Sequence, residues 1–287
     1  KQVILFSQGG IDQINQALTL QLIQAYGTKL KLYQKAEATV PKVLEFPKLF
    51  LRDLNKQKIL EHLENYNFGL IDGKLTQDTI VKNLCVYASY RLELRHNNLK
   101  NSYNNLIGKP EVQELIGNSF VNFSRDWKDS EKLLDLYLSC KIAFHQKKFN
   151  EMLWKLFTIN ENLLKLEVEE LIGVRMENYY EGNYSTHHEN PRLLQLLNER
   201  NEQYVNYMRE TGVFLSNPSR RMYKSILEIE NNTSTYSRIL ELADFLEKLA
   251  NKRNNLAHGL GFADKDKISQ SLGFQLNDLF TMMDSIF

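Results

Sequence analysis

Val3-Ile4-Leu5-Phe6 is an unbroken apolar run, the pattern of a strand covered on both faces, and Ser7-Gln8-Gly9-Gly10 interrupts it. Asp12 follows as a helix N-cap, and Ile14, Ala17, Leu18, Ile23 and Ala25 space a helix that ends near Gly27. Leu30-Lys31-Leu32-Tyr33 alternates as a second strand. This strand–turn–helix–strand unit is the building block of a parallel sheet covered by helices. Three elements cannot bury such a sheet, so its partner strands are expected outside this sequence or from another chain.

After about residue 40 the period changes from two to about 3.6. Pro41 and Pro47 punctuate a connecting region. Leu49, Leu51, Leu54, Ile59, Leu60 and Leu63 then fit one amphipathic helix. Further helical stretches are predicted over 76–106, 130–147, 149–172, 192–210, 219–230, 235–258 and 266–286. The dividing signals are Gly69 and Gly73, Gly108-Lys109-Pro110, Gly173, Gly182 to Pro191, and Asn217-Pro218. No period repeats and no strict heptad persists, so neither a solenoid nor a long coiled coil is favoured. The expected fold is mainly α, an irregular helical bundle after a small α/β segment. The many scattered asparagines are expected at loops and helix caps.

Composition narrows the functional classes. Thirty-six Lys and Arg against thirty-five Asp and Glu leave a formal charge of +1, so any nucleic acid must be gripped locally rather than by a global field. Cys85 and Cys140 are the only cysteines, too few for a disulfide framework or a zinc cage, and a cytoplasmic setting is expected. No apolar run approaches the ~20 residues that span a bilayer.

The sharpest chemical signal is Lys252-Arg253-Asn254-Asn255-Leu256-Ala257-His258-Gly259. A guanidinium fork suits a phosphate, and an imidazole exchanges protons near neutral pH. Together they offer charge stabilisation and proton transfer for RNA cleavage. At ~100° per residue, positions five apart lie about 140° apart on a regular helix. Arg253 and His258 therefore converge only if the helix breaks or a second chain completes the site. Gly259 and Gly261 mark a helix end. The alternative is a solvated helix terminus with a cationic cap. Arg91 and His96 repeat the spacing, but Leu92 and Leu94 intervene and no glycine stop follows, so this pair reads as a polar face of one continuous helix. His187-His188 beside Glu189, and the isolated His62 and His145, lack metal-ligand spacing. No carboxylate cluster suits metal-dependent nuclease chemistry. Tyr179-Tyr180, Tyr184, Arg220-Arg221 and Tyr223 suit stacking or clamping of single-stranded RNA, with packing the favoured role for the aromatics.

The segment at Arg253 resembles the Arg-(Asn/Asp/His)-x₃-His motif of HEPN ribonucleases, with Asn254 as the polar residue after the arginine. Leu92 fails that requirement in the other pair. Phe6 to Asn15 resembles the Gly-Gly-Thr-Pro-Gln-type turn of CARF domains, the Rossmann-like sensors of cyclic oligoadenylate. Ile11 stands where threonine is usual and Asp12 where proline is typical. Lys58 to Phe68 is similar to the helix and Tyr-Asp-Tyr turn that open the helical part of CARF–HEPN ribonucleases of type III CRISPR systems. Lys148 to Leu153, continuing through Ile159-Asn160-Glu161, resembles that family's later helical stretch. These pieces occur in the family's order along most of the chain.

The resemblance implies the last part of a CARF sensor over residues 1–40, a linker helix region over 41–75 and a helical HEPN ribonuclease domain over 76–287. It implies a metal-independent endoribonuclease, a homodimer with no metal or organic cofactor and no membrane partner. Single-stranded RNA would be the substrate, and cyclic oligoadenylate from a type III effector complex the activator. Arg253, Asn254 and His258 would be catalytic. Ser7, Gly9, Gly10 and Gln13 would contact the activator, while Asp12 caps the helix. Two rivals stand beside it: a non-catalytic ligand-binding or scaffold protein with a HEPN-like helical domain, and a HEPN toxin-type protein without an adenylate sensor.

Overall fold

The computed structural model describes residues 2–6, 12–34, 40–116, 129–180, 188–231, 236–249, 265–273 and 275–287. The chain divides into two compact units, Lys1–Ser89 with Asn101–Gly117, and Tyr90–Lys100 with Asn118–Phe287.

In the first unit, strand β1 (Val3–Phe6) pairs in parallel with β2 (Leu30–Gln34), from Val3 opposite Leu30 to Phe6 opposite Tyr33. A parallel pair needs a crossover, which helix α1 (Asp12–Tyr26) supplies. Strand β3 (Lys42–Leu44) adds antiparallel to β2, with Leu32 opposite Leu44. The sequence pattern did not signal β3, because three residues after Pro41 carry too little periodicity. Leu30, Leu32 and Ile23 are buried on one side. Ile4 and Phe6 are 54% and 58% exposed, so β1 is not covered on both faces as its apolar run suggested. Among the described residues it is an edge strand in the order β1-β2-β3, and Phe6 stacks on Tyr33 at 5.4 Å. Helix α2 (Phe46–Glu64) tolerates Pro47 in its first turn, where no intrahelical donor is lost. It ends at Asn65, and Tyr66 takes a left-handed φ of 55° before Phe68 meets its ring edge-on. Helix α3 (Thr79–Leu92), helix α4 (His96–Asn104) and the unanticipated α5 (Pro110–Ile116), with proline at its start, follow.

The second unit holds the main core. Helix α6 (Asp129–His145) and α7 (Phe149–Ile172) are joined by three residues and pack along each other. Met152, Leu153, Leu156, Ile159 and Leu164 of α7 are fully buried, each contributing about 1.5–3 kcal/mol of transfer free energy. Gly173, at φ 76°, ends α7 in the left-handed conformation that a side chain would strain. Where one helix was expected over 192–210 there are two, α8 (Pro191–Arg200) and α9 (Glu202–Glu210). Asn201 divides them: its side chain accepts the Gln203 N–H at 3.0 Å and caps α9. Asn190 caps α8 in the same way, so two of the scattered asparagines serve as expected. Helix α10 (Arg220–Glu230) is capped by Ser219. Helix α11 (Ser237–Lys248) and α10 both pack on α7. The stretch 266–286 splits into α12 (Lys265–Leu272) and α13 (Leu276–Asp284), beside Gly273 at φ 80°.

Cys85 and Cys140 are both buried thiols. Burial pushes the Cys140 thiol up to about 12, which removes it from nucleophilic chemistry. Asn160 of α7 is fully buried and neither amide atom has a hydrogen-bond partner, a cost of about 1–3 kcal/mol per unsatisfied group.

Candidate functional site

Arg253, Asn254 and His258 lie outside the described residues, as do Ser7, Gly9 and Gly10. Gln13 is in the first turn of α1 with its side chain exposed. His187 and Tyr184 also fall outside.

What the structure does place is the support that leads to the Arg253 motif. Ile239, Leu240, Ala243, Leu246 and Leu249, within the stretch 235–258 expected to be helical, are all buried in the helical unit. The opposite side of the last turns of α11 is held electrostatically. Lys224 of α10 lies 2.6 Å from Asp244 and 3.5 Å from Glu247, and Arg220 reaches Glu247 at 3.5 Å. These acidic partners raise the Lys224 ammonium pKa against the opposing effect of its burial. Apolar packing on one side and ion pairs on the other thus fix a helix that ends five residues before Arg253. Sequence inspection did not single out this anchor. Its signal was the Lys224, Asp244 and Glu247 charge pattern, which only tertiary contact pairs.

Tyr223 is buried, and burial with the nearby Glu169 charge raises its phenol pKa, so it packs rather than stacks on a base. Tyr180 is 63% exposed, Arg221 is exposed, and Arg192 sits over the Tyr179 ring at 5.7 Å. Among the described residues no three His, Cys, Asp or Glu side chains are grouped to hold a metal.

The Arg91–His96 pair departs from expectation. The helix is not continuous: α3 stops at Leu92, Leu94 adopts a φ of 56°, and α4 begins at His96. A left-handed non-glycine residue costs roughly 1–2 kcal/mol, so the break is held by something. Asp135 of α6, 2% exposed, accepts two hydrogen bonds from Arg91, the Nε one at 2.9 Å. His96 Nε2 stands 3.3 Å from the other carboxylate oxygen. Ser139 Oγ donates to the Leu92 carbonyl at 3.1 Å, securing the turn one helical turn along α6. The two residues form a clasp on a buried carboxylate rather than a solvated face. Asp135 and Ser139, polar positions four apart within an otherwise apolar helix side, were the sequence signal for it.

A family model, the Cas_Csm6 HEPN domain, matches residues 120–287, which is more than half of the chain and includes the Arg253 motif. The chain belongs to the Csm6 HEPN family. It is therefore a CRISPR-associated HEPN protein of Csm6 type, from a ribonuclease family. The mainly helical fold with a small sheet agrees with the expected class. Five solved chains match its fold, among them Enterococcus italicus Csm6 bound to cyclic hexa-2'-fluoro-hexa-dAMP. That match has a TM-score of 0.59 at 13% identity and covers 100% of this chain and 70% of the other. No curated protein matches by sequence. Among the described residues no helix is long and apolar enough to cross a membrane.

Proposed function

We propose that the chain is a metal-independent endoribonuclease that cleaves single-stranded RNA, acts as a cytoplasmic homodimer and is activated by cyclic oligoadenylate. The family match over 120–287, with Arg253, Asn254 and His258 inside it, is the observation that carries this reading. The Csm6 neighbour bound to a cyclic hexanucleotide supports the choice of activator class. The sensor is assigned to residues 1–40, the connecting helix region to 41–75 and the ribonuclease to 76–287. Ser7, Gly9, Gly10 and Gln13 are assigned to the activator.

RNA carries its own nucleophile. The 2′-oxygen attacks the adjacent phosphorus as its proton leaves, the bond to the 5′-oxygen breaks, and that oxygen takes up a proton. The products are a 2′,3′-cyclic phosphate and a 5′-hydroxyl. In this scheme Arg253 neutralises the extra charge on the phosphorane-like transition state, and Asn254 orients the phosphate by hydrogen bonds. His258 serves the proton of either the 2′-hydroxyl or the leaving oxygen.

Because arginine and histidine carry the chemistry, EDTA should leave the rate nearly unchanged. A rate that vanishes with chelator and returns with Mn²⁺ or Mg²⁺ contradicts the mechanism.

A further inference from the structure

The clasp at Asp135 occupies a distinctive place in the chain. Tyr90–Lys100 belongs to the helical unit, whereas the residues before it, to Ser89, and after it, from Asn101, belong to the other. Helix α3 therefore starts in one unit and ends in the other, and α4 runs back. The turn between them, 93–95, is the point at which the chain is tied into the helical unit before returning.

The tie is made on a buried charge. Asp135 is nearly without solvent, and a buried carboxylate tolerates the loss of its cationic partners poorly, so it is either held by Arg91 and His96 or left uncompensated. There is also room for movement. His96 and Leu94 line a cavity of about 650 Å³ whose other walls include Lys132, Lys165 and Glu169 of α6 and α7. Those charged walls are satisfied by their own pairs, Lys132 with Asp129 and Lys165 with Glu177 and Glu169, so none of them holds the turn in place of Asp135.

We propose that the Arg91–Asp135–His96 clasp is the positioning element through which activator binding sets the ribonuclease rate. This rests on the reading of the chain as an activator-gated ribonuclease. None of the three touches RNA in this scheme; they act through α6, which packs on α7 and thereby on the core that carries α11.

The test uses the full chain with His96→Gln and Asp135→Asn. RNA cleavage is followed without activator and at saturating cyclic hexa-adenylate or tetra-adenylate, with saturation fixed by calorimetry and folding by thermal melting. In His96→Gln, which leaves the Arg91–Asp135 pair in place, the stimulated rate should fall about tenfold, within the usual range of coupling between sites. Its basal rate should match the parent's, and the activator should still bind. A folded Asp135→Asn should behave alike. Stimulation equal to the parent's in His96→Gln overturns the proposal, as does an equal fall of basal and stimulated rates, which would mark a merely structural role. A parent that neither binds nor responds to either ring overturns the gated-ribonuclease reading itself, and the clasp proposal with it. The two failures are therefore separable.

Discussion

Arg253→Ala and His258→Ala should each lower RNA cleavage by at least about 10²-fold and up to about 10⁴-fold, the range that a positioned acid–base group or charge stabiliser supplies. The expectation rests on what the reaction lacks without them. A phosphate that has gained a fifth oxygen carries extra negative charge, and a 2′-hydroxyl is a weak nucleophile until its proton has a destination. Loss of the guanidinium leaves the first need unmet, and loss of the imidazole the second. The apolar anchors of α11 at Leu242, Ala243 and Leu246 are untouched by either change, so circular dichroism and the melting temperature should stay near those of the parent. The internal control is His96→Gln, which alters the other arginine–histidine pair and should keep its basal cleavage. Equal loss of basal activity at His96 and His258 would mean that the catalytic pair had been misassigned.

The second large effect concerns assembly. On a regular helix Arg253 and His258 point about 140° apart, so a complete site is expected where two copies meet across a two-fold axis. Co-expression of wild-type chains with an Arg253→Ala, His258→Ala double variant at equal levels tests this. If each cleft needs both copies, random pairing leaves about a quarter of the activity, the share of wild-type homodimers. Independent sites leave about half. A proportional loss, or a monomer that cleaves at full rate, contradicts the shared site while leaving the ribonuclease assignment intact.

Long periodic elements were legible in the sequence, and short or tertiary ones were not. The expected 149–172 helix coincides with α7, because 24 residues with buried positions along one side give the hydrophobic period many repetitions. The parallel β1–α1–β2 unit was legible for a related reason: a strand, a capped helix and a second strand in that order admit few topologies. Periodicity misjudged the breaks instead. Asn201 caps a new helix without interrupting the apolar spacing, and Leu94 turns the chain left-handed although leucine favours helix. That second break follows from Asp135, more than 40 residues away, whose carboxylate draws Arg91 and His96 together. Buried polar positions such as Asp135 and Ser139 signal that a partner exists, but a single-sequence pattern does not say which residue it is. The exposed faces of Ile4 and Phe6 have the same origin, since an apolar run reports hydrophobicity and not the number of layers available to cover it. Of the candidate site, residue chemistry identified the Arg253 motif, whereas the ion pairs of Lys224 and Arg220 that hold the preceding helix emerged only from the packing of α10 on α11.

The most direct test of the central claim is the rate of single-stranded RNA cleavage by the full chain, with and without cyclic tetra- or hexa-adenylate, in the presence of EDTA. The account predicts that one of the two rings raises the rate severalfold or more, that chelator does not abolish the increase, and that the products end in 2′,3′-cyclic phosphate. RNA cleavage that ignores both rings would point to a HEPN ribonuclease without an adenylate sensor. Binding of a ring with no cleavage at all would point to a non-catalytic scaffold, and either result would contradict the account.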